Sequence, residues 1–143
     1  MEVLYRAHAT ASGGGRDEGR SATDDGKIDV RLSVPTEMGG KGGDGTNPEQ
    51  LFAMGYSACF LGALKFAAGK EGVKIPDDAR VSADVGIGPR DDGKGFGIAV
   101  KLTIAAPGIE KAKLEDLVQK AHIVCPYSDA TRGNIDVQLT VAA

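Results

Sequence analysis

The chain has 143 residues, a formal net charge of −3 at pH 7 and 41% hydrophobic residues. This length and apolar content predict a single domain over residues 1–143. The acidic balance, with no basic stripe, argues against nucleic acid or an anionic membrane as partner. The N-terminal residues do not have the pattern of a signal peptide, and two cysteines are too few for a disulfide framework, so we expect a cytoplasmic protein.

The first third of the chain predicts short strands and turns. Residues 2–11 alternate loosely between polar and apolar and predict a strand, which Gly13 ends. The pair Asp25-Gly26 favours a hairpin turn, and apolar residues alternate again from residue 28 to residue 34. Residues 39–45 (GGKGGDG) match the letters of a dinucleotide-binding fingerprint. The preceding strand ends too early for that motif, so a flexible connector is the better interpretation.

The stretch Thr46–Gly69 predicts the central helix. Asn47 can cap it, Pro48 occupies the first helical position, and apolar residues then follow on every side. A helix that is hydrophobic all round is expected to be buried all round. Its length is near the minimum for a membrane span, but Lys65, the small residues and the polar flanks favour the core of a soluble protein.

The second half of the chain predicts a hairpin, a helix and a last strand. Residues 81–87 and 96–104 alternate in the manner of two antiparallel strands. Residues 110–124 have apolar side chains at helical spacing, and Pro126 is expected to terminate this helix. Residues 135–141 alternate again. The order of elements predicts an α+β fold with antiparallel sheet.

The two cysteines occupy different settings. Cys59 lies in the middle of the central helix, where no helix N-terminus stabilises a thiolate and burial raises the pKa above about 8.5. A cation from elsewhere would have to lower that pKa for Cys59 to act as a nucleophile. Cys125 lies at a helix C-terminus, where the helix dipole disfavours a thiolate. The asymmetry favours Cys59 as the attacking thiol and Cys125 as the resolving thiol.

Non-catalytic interpretations of the two cysteines remain open. A single buried cysteine is most often a small hydrophobic residue that fills the core. The pair could also form a redox switch that is oxidised without turnover. His122 lies three residues before Cys125, but with Cys59 this makes only three soft ligands, fewer than a closed zinc site needs.

Three segments carry a resemblance that covers essentially the entire chain: NPEQLFAMGYSACFLGALKF, HIVCPYSDATRGNIDV and GGGR near the start. They resemble the organic hydroperoxide resistance proteins, a branch of the OsmC-like family. The resemblance implies a thiol peroxidase that forms a sulfenic acid and then a disulfide, with no bound cofactor and with the dihydrolipoyl group of a partner protein as reductant. It also implies an intertwined homodimer in which antiparallel sheets wrap two central helices. A related OsmC-type enzyme with a broader peroxide preference is the alternative.

The resemblance assigns roles to four residues. Cys59 resembles the family's peroxidatic cysteine, Cys125 its resolving cysteine, Glu49 its glutamate and Arg16 its arginine. The family usually has Arg-Asp-Gly-Arg where this chain has the longer run from Arg16 to Arg20, so either arginine could face the sulfur, and Arg16 is preferred.

The spacing of residues along the central helix bears on where the site lies and on what it binds. Glu49 and Cys59 are separated by about 15 Å along one helix and about 80° around it. We therefore expect the Arg16–Glu49 pair to meet Cys59 of a partner subunit, unless the helix breaks at Gly55. Aromatic and Met side chains flank Cys59 and predict a preference for bulky apolar hydroperoxides over hydrogen peroxide.

Overall fold

A computed structural model describes residues 1–142 of the chain, and it divides into two compact units, Met1–Leu51 and Phe52–Ala143. The predicted α+β class is confirmed. The strands are β1 (Ala9–Ser12), β2 (Arg20–Thr23), β3 (Asp29–Arg31), β4 (Arg80–Pro89), β5 (Phe96–Ala105) and β6 (Val137–Val141). The helices are α1 (Pro48–Lys70), α2 (Lys111–Val124) and α3 (Pro126–Thr131), and a 3-10 turn occupies Thr36–Met38.

The first unit contains a three-stranded antiparallel sheet in the order β1-β2-β3. The hairpin predicted at Asp25-Gly26 joins β2 to β3, and Gly26 adopts the left-handed conformation that such a turn uses. The first strand is shorter than predicted, because β2 ends at Thr23, which pairs with Ala9. Residues 2–8 consequently have no neighbouring strand in this sheet, and alternation alone does not make a strand.

The glycine-rich segment 39–45 is fixed in place rather than loose. The backbone N–H of Gly42 donates to the carbonyl of Val34 at 3.0 Å, and the N–H of Ser33 donates to the carbonyl of Thr46 at 2.9 Å. A Cβ atom on Gly45 would lie 2.6 Å from the backbone of Leu32, so only glycine permits this approach. The glycines therefore serve a close backbone contact, and the interpretation as a flexible connector is corrected.

The second unit contains a mixed sheet in the order β4-β5-β6. The predicted hairpin is present, with β4 and β5 antiparallel from Arg80↔Ala105 to Pro89↔Phe96. The strand β6 pairs parallel to β5, which corrects the expectation of a purely antiparallel sheet. The helices α2 and α3 lie between these strands in the chain, and a crossover of that length allows parallel pairing.

The helix α1 matches the predicted helix within two residues at each end and runs without interruption through Gly55. The alternative of a break at Gly55 is therefore wrong. Only part of α1 is buried, since Met54 and Phe66 are 67% and 55% exposed. The helix is long and apolar enough to cross a membrane, although core helices of soluble proteins share these features. The predicted burial on every side is not achieved by one copy of the chain.

The core of the second unit lies between its sheet and its helices. The helix α2 is present as predicted, and its apolar face is buried together with the inward face of β5 and part of α1. The short helix α3 was not predicted. Its first residue is Pro126, which ends α2 but also occupies the first position of the next helix, where proline is favourable.

Candidate functional site

The first unit holds a charged pair between Arg16 and Glu49. The guanidinium donates two hydrogen bonds to the carboxylate, from Nη1 at 3.0 Å and from Nη2 at 2.8 Å. Glu49 lies in the first turn of α1, which begins where Asn47 Oδ1 accepts a hydrogen bond from the N–H of Gln50 at 2.8 Å. The Glu49 side chain is only 12% exposed. This two-bond geometry holds the guanidinium plane in one orientation.

The pair keeps both partners charged. The hydrogen bonds from Arg16 lower the pKa of Glu49, against the opposing effect of burial. The same contact raises the pKa of Arg16. The first unit therefore presents a fixed, permanently charged guanidinium whose fork is bonded to a carboxylate.

The structure distinguishes the two candidate arginines. Arg20 lies on β2 and pairs with Asp29 on β3 through Nε at 2.6 Å and through Nη2, so it is engaged on the exposed face of the sheet. Arg16, as predicted, is the one that pairs with Glu49. The loop between them contains Glu18 in the left-handed region with φ of 58°. This strained residue lies in the segment that is longer than the family pattern.

The second unit brings the two cysteines together. The Sγ atoms of Cys59 on α1 and Cys125 after α2 lie 3.6 Å apart, and both thiols are free. Cys125 is fully buried and Cys59 is half-buried. A disulfide requires about 2.05 Å between the sulfur atoms, so a short movement is enough to join them.

Burial raises the pKa of the Cys59 thiol, as the sequence predicts. The backbone N–H of Tyr127 acts in the opposite direction and lowers that pKa, while the neighbouring Cys125 raises it again. None of these influences is a cation. The contribution of Tyr127 was missed, because the sequence analysis placed no helix start near Cys59. Proline is favourable at the first position of a helix, so Pro126 could have been interpreted as the start of α3 and not only as the end of α2. That interpretation would have indicated a helix start that includes Tyr127.

Cys125 lies at the junction of two helices rather than at a simple helix end. Its N–H donates to the carbonyl of Ala121 at 2.8 Å and closes α2, while its own carbonyl accepts from the N–H of Asp129 at 2.9 Å and opens α3. The helix-dipole argument from α2 alone is therefore incomplete. What fixes Cys125 is backbone bonding on both sides.

A buried cluster of hydroxyl groups lies beside the thiols. The Tyr56 hydroxyl is within 2.8 Å of Ser128 Oγ and 3.1 Å of Thr131 Oγ1, and these hydrogen bonds join α1 to α3. Tyr127 packs against the rings of Phe52 and Tyr56. Sequence reasoning missed this cluster. Its signal was a tyrosine within an apolar helix, since a buried Tyr hydroxyl requires a partner.

The metal site considered for Cys59, Cys125 and His122 finds no support among the described residues. Across residues 1–142 no three His, Cys, Asp or Glu side chains are grouped as ligands, so His122 does not join the two cysteines. His122 lies in the last turn of α2, and burial, helped by the charge of Arg132, lowers its pKa. A groove of about 700 Å³ in the second unit is lined by the end of β4, the start of β5 and residues 134–136, and neither cysteine lines it.

Three comparisons with known proteins agree. A family model described as OsmC-like protein matches residues 40–140. The chain is 58% identical to an organic hydroperoxide resistance protein of Xanthomonas axonopodis pv. citri, over 99% of this chain and 96% of that one. It is 41% identical to the organic hydroperoxide resistance protein OhrB of Bacillus subtilis, over 96% and 97%.

Solved structures show the same fold. An organic hydroperoxide resistance protein of Elizabethkingia anophelis superposes with a TM-score of 0.91 at 46% identity, covering 99% of both chains. A Vibrio cholerae protein described as a putative organic hydroperoxide resistance protein, with captopril bound in one of its active sites, superposes with a TM-score of 0.89 at 45% identity, covering 99% of this chain and 94% of that one.

Proposed function

This chain belongs to the OsmC-like family, and from that premise we propose that it is an organic hydroperoxide reductase, a peroxiredoxin-like thiol peroxidase in which Cys59 attacks and Cys125 resolves. The observation that carries the proposal is the 3.6 Å separation of the two thiols, which are 66 residues apart in sequence, Cys59 on α1 and Cys125 between α2 and α3. The relative from Xanthomonas that is named organic hydroperoxide resistance protein matches over 99% of this chain, which supports the same assignment.

In the first step the Cys59 thiolate attacks the outer oxygen of the hydroperoxide. The O–O bond breaks, an S–O bond forms, and the alkoxide leaves with a proton as an alcohol. Cys59 is oxidised to a sulfenic acid and the peroxide is reduced. The half-buried position of Cys59 is consistent with access by a small molecule.

In the second step the Cys125 thiol attacks the sulfenic sulfur. The S–O bond breaks, an S–S bond forms, and the hydroxyl leaves with a proton as water. In the third step a dithiol reduces this disulfide by thiol–disulfide exchange. We propose the dihydrolipoyl group of a lipoylated partner protein as that dithiol, so no bound cofactor is needed, and we place the reaction in the cytoplasm.

We propose that Arg16 supplies the positive charge that Cys59 requires, and that Glu49 holds the guanidinium in position. Two observations support completion of the site by a second subunit in a homodimer. The helix that carries Glu49 and Cys59 is unbroken, and Met54 and Phe66 leave apolar surface of that helix exposed. Mixed dimers of Cys59→Ser and Glu49→Ala chains test this: activity in half of the sites supports sharing, and no restoration contradicts it.

The substrate proposal follows from the side chains near Cys59. Tyr56 and Phe60 are fully buried and belong to the core, whereas Phe52, Met54 and Tyr127 keep exposed surface. An alkyl, aryl or fatty-acid hydroperoxide gains about 25 cal/mol for each Å² of apolar surface that it buries there, and hydrogen peroxide does not. We expect much faster turnover of cumyl hydroperoxide than of hydrogen peroxide, and equal rates would instead favour an OsmC-type enzyme of broader preference.

The test is multiple turnover of cumyl hydroperoxide with dihydrolipoamide or with thioredoxin as donor, on the wild type and on two variants. Cys59→Ser should be inactive, because it lacks the attacking sulfur. Cys125→Ser should react once and stop as a sulfenic acid. A wild type that is oxidised once and never turns over would favour a redox switch, the alternative in which Cys59 is oxidised without catalysis.

A further inference from the structure

The hydroxyl cluster, defined as Tyr56, Ser128 and Thr131, places three polar groups at buried positions where apolar side chains would also fit. All three side chains are buried, at 0%, 0% and 5% exposure. Tyr56 belongs to the apolar core cluster, where a phenylalanine would fill nearly the same volume. Burying hydroxyl groups is unfavourable unless each is hydrogen-bonded, so a buried set that is bonded mainly to itself points to a geometric requirement.

The cluster and the two thiols connect the same two segments. Tyr56 precedes Cys59 by three residues on α1, and Ser128 follows Cys125 by three residues at the start of α3. One connection is the sulfur pair at 3.6 Å, and the other is the hydroxyl pair at 2.8 Å. Thr131 reinforces the second connection, because its hydroxyl also donates to the carbonyl of Ser128 at 3.2 Å. The two connections therefore fix α3 against α1 about one helical turn apart.

We propose that this hydroxyl cluster is a positioning device for the resolving cysteine, which holds Cys125 in line with the sulfur of Cys59 during disulfide formation. The inference rests on the proposed peroxidase function and deepens it. The cluster acts on the second step, in which the Cys125 thiol displaces hydroxide from the Cys59 sulfenic acid, the S–S bond forms, and the hydroxyl and a proton leave as water. The first step, attack on the peroxide, does not use Cys125.

Position controls this step because the sulfurs must close from 3.6 Å to about 2.05 Å along the direction opposite the leaving oxygen. Tyr56→Phe removes the hydroxyl and leaves Ser128 Oγ buried without its partner. The first turn of α3 then loses the hydrogen bond from Ser128 to α1. As a result, the Cys125 sulfur spends less time in line with the Cys59 sulfur. The Tyr56 hydroxyl makes two hydrogen bonds, but Thr131 Oγ1 keeps its bond to the Ser128 carbonyl. We therefore count the net loss of one hydrogen bond and expect disulfide formation to slow about fivefold.

The experiment separates the two steps in one sample. Reduced protein is mixed with one equivalent of cumyl hydroperoxide, and the Cys59 sulfenic acid is trapped with dimedone at increasing times and quantified by mass spectrometry together with the disulfide. Tyr56→Phe should form sulfenic acid at the wild-type rate, convert it to disulfide about fivefold more slowly, and accumulate sulfinic acid at higher peroxide. Ser128→Ala provides a second variant if Tyr56→Phe does not fold.

Two control variants test whether slower disulfide formation reflects only the loss of a tyrosine hydroxyl or a general loss of stability. Tyr5→Phe makes the same chemical change at an exposed tyrosine, and Ile104→Val removes a buried methyl group from β5 and lowers stability without touching the cluster. Neither should change disulfide formation. The proposal is overturned if Tyr56→Phe forms the disulfide at the wild-type rate, if both steps slow equally, or if Ile104→Val slows it as much. A wild type that forms no sulfenic acid at Cys59 overturns the proposed function itself.

Discussion

The two units of this chain provide opposite electrostatic environments for their ionisable groups. The first unit stabilises charge: Arg16 and Glu49 meet in two hydrogen bonds, which favour the ionised form of both groups. The second unit disfavours charge: burial and a neighbouring thiol raise the pKa of Cys59, and only one backbone N–H acts against them. The comparison teaches that the thiol that we propose as nucleophile and the guanidinium that we propose as its activator lie in opposite electrostatic settings.

This separation has a chemical advantage. A thiol with a raised pKa is a poor target for unwanted oxidation, because the thiolate is the reactive form. A charged pair that is already formed needs no reorganisation when a substrate arrives. Four substitutions, in order of decreasing expected effect, test the contrast between the charged pair and the thiol pair.

The largest effect is expected from Arg16→Ala, which removes the guanidinium that we propose for activating Cys59. The rate constant for cumyl hydroperoxide should fall about 100-fold, as for loss of one preorganised donor. Stopped-flow measurement of Cys59 oxidation checks this. Arg20→Ala breaks a comparable ion pair in the same unit and should change the rate little. Equal losses in the two variants would remove the distinction between the two arginines.

The next effect concerns packing beside the thiols. A Cβ atom on Gly55 would lie 2.6 Å from the Tyr127 hydroxyl, so Gly55→Ala should displace the Tyr127 ring and lower the free energy of unfolding by about 1–3 kcal/mol. Gly69→Ala on the same helix meets no atom within 4 Å and should instead be neutral or stabilising, because alanine favours helix. Urea denaturation of both variants tests the prediction, and a stabilising Gly55→Ala contradicts it.

A smaller effect is a pH dependence of stability that belongs to the charged pair. The pKa of Glu49 is lowered in the folded state, so its contribution is complete above the unfolded pKa, near 4.3, and is lost as the pH falls through the lower folded value. The stability difference between wild type and Glu49→Gln should therefore shrink as the pH decreases below about 4.5. Urea denaturation at several pH values measures it, and other carboxylates cancel in the difference.

The smallest effect is expected at Glu18, the residue with φ of 58° in the loop between Arg16 and Arg20. Glu18→Gly should raise the free energy of unfolding by about 0.5 kcal/mol, since glycine adopts this conformation without strain but gains freedom in the unfolded state. Thermal denaturation of Glu18→Gly against Glu18→Ala, which keeps the strain, checks it. A lower stability of the glycine variant would show that the loop geometry is not strained.

Sequence patterns predicted the elements that depend only on residues close together in the chain. The helix α1, the β4–β5 hairpin and the helix α2 follow from periodicity over neighbouring residues. The parallel pairing of β6 and the hydroxyl cluster do not, because they depend on which distant segments meet. Pro126 shows the limit clearly: as a helix breaker it was interpreted correctly, but the same ring also begins α3, and that second effect places the Tyr127 N–H beside Cys59.

The site residues divide in the same way. The pairing of Arg16 with Glu49 was predicted from family resemblance, since an arginine in a glycine-rich loop has no local signal of its partner. Their catalytic roles, and those of the two cysteines, stay predictions that the experiments above address. The proximity of Cys59 to Cys125 was likewise expected from the resemblance and is present in the structure.

From the mixed sheet we also expect the two thiols to meet late in folding. The hairpin closes over residues 90–95 only, whereas β6 reaches β5 after a crossover through residues 106–136. Closing the longer loop costs more chain entropy, so we expect the hairpin to form before the crossover docks. Cys125 lies within that crossover. We therefore expect a nascent or partly unfolded chain to carry Cys59 without Cys125 beside it, so that a sulfenic acid formed there has no neighbouring thiol with which to condense.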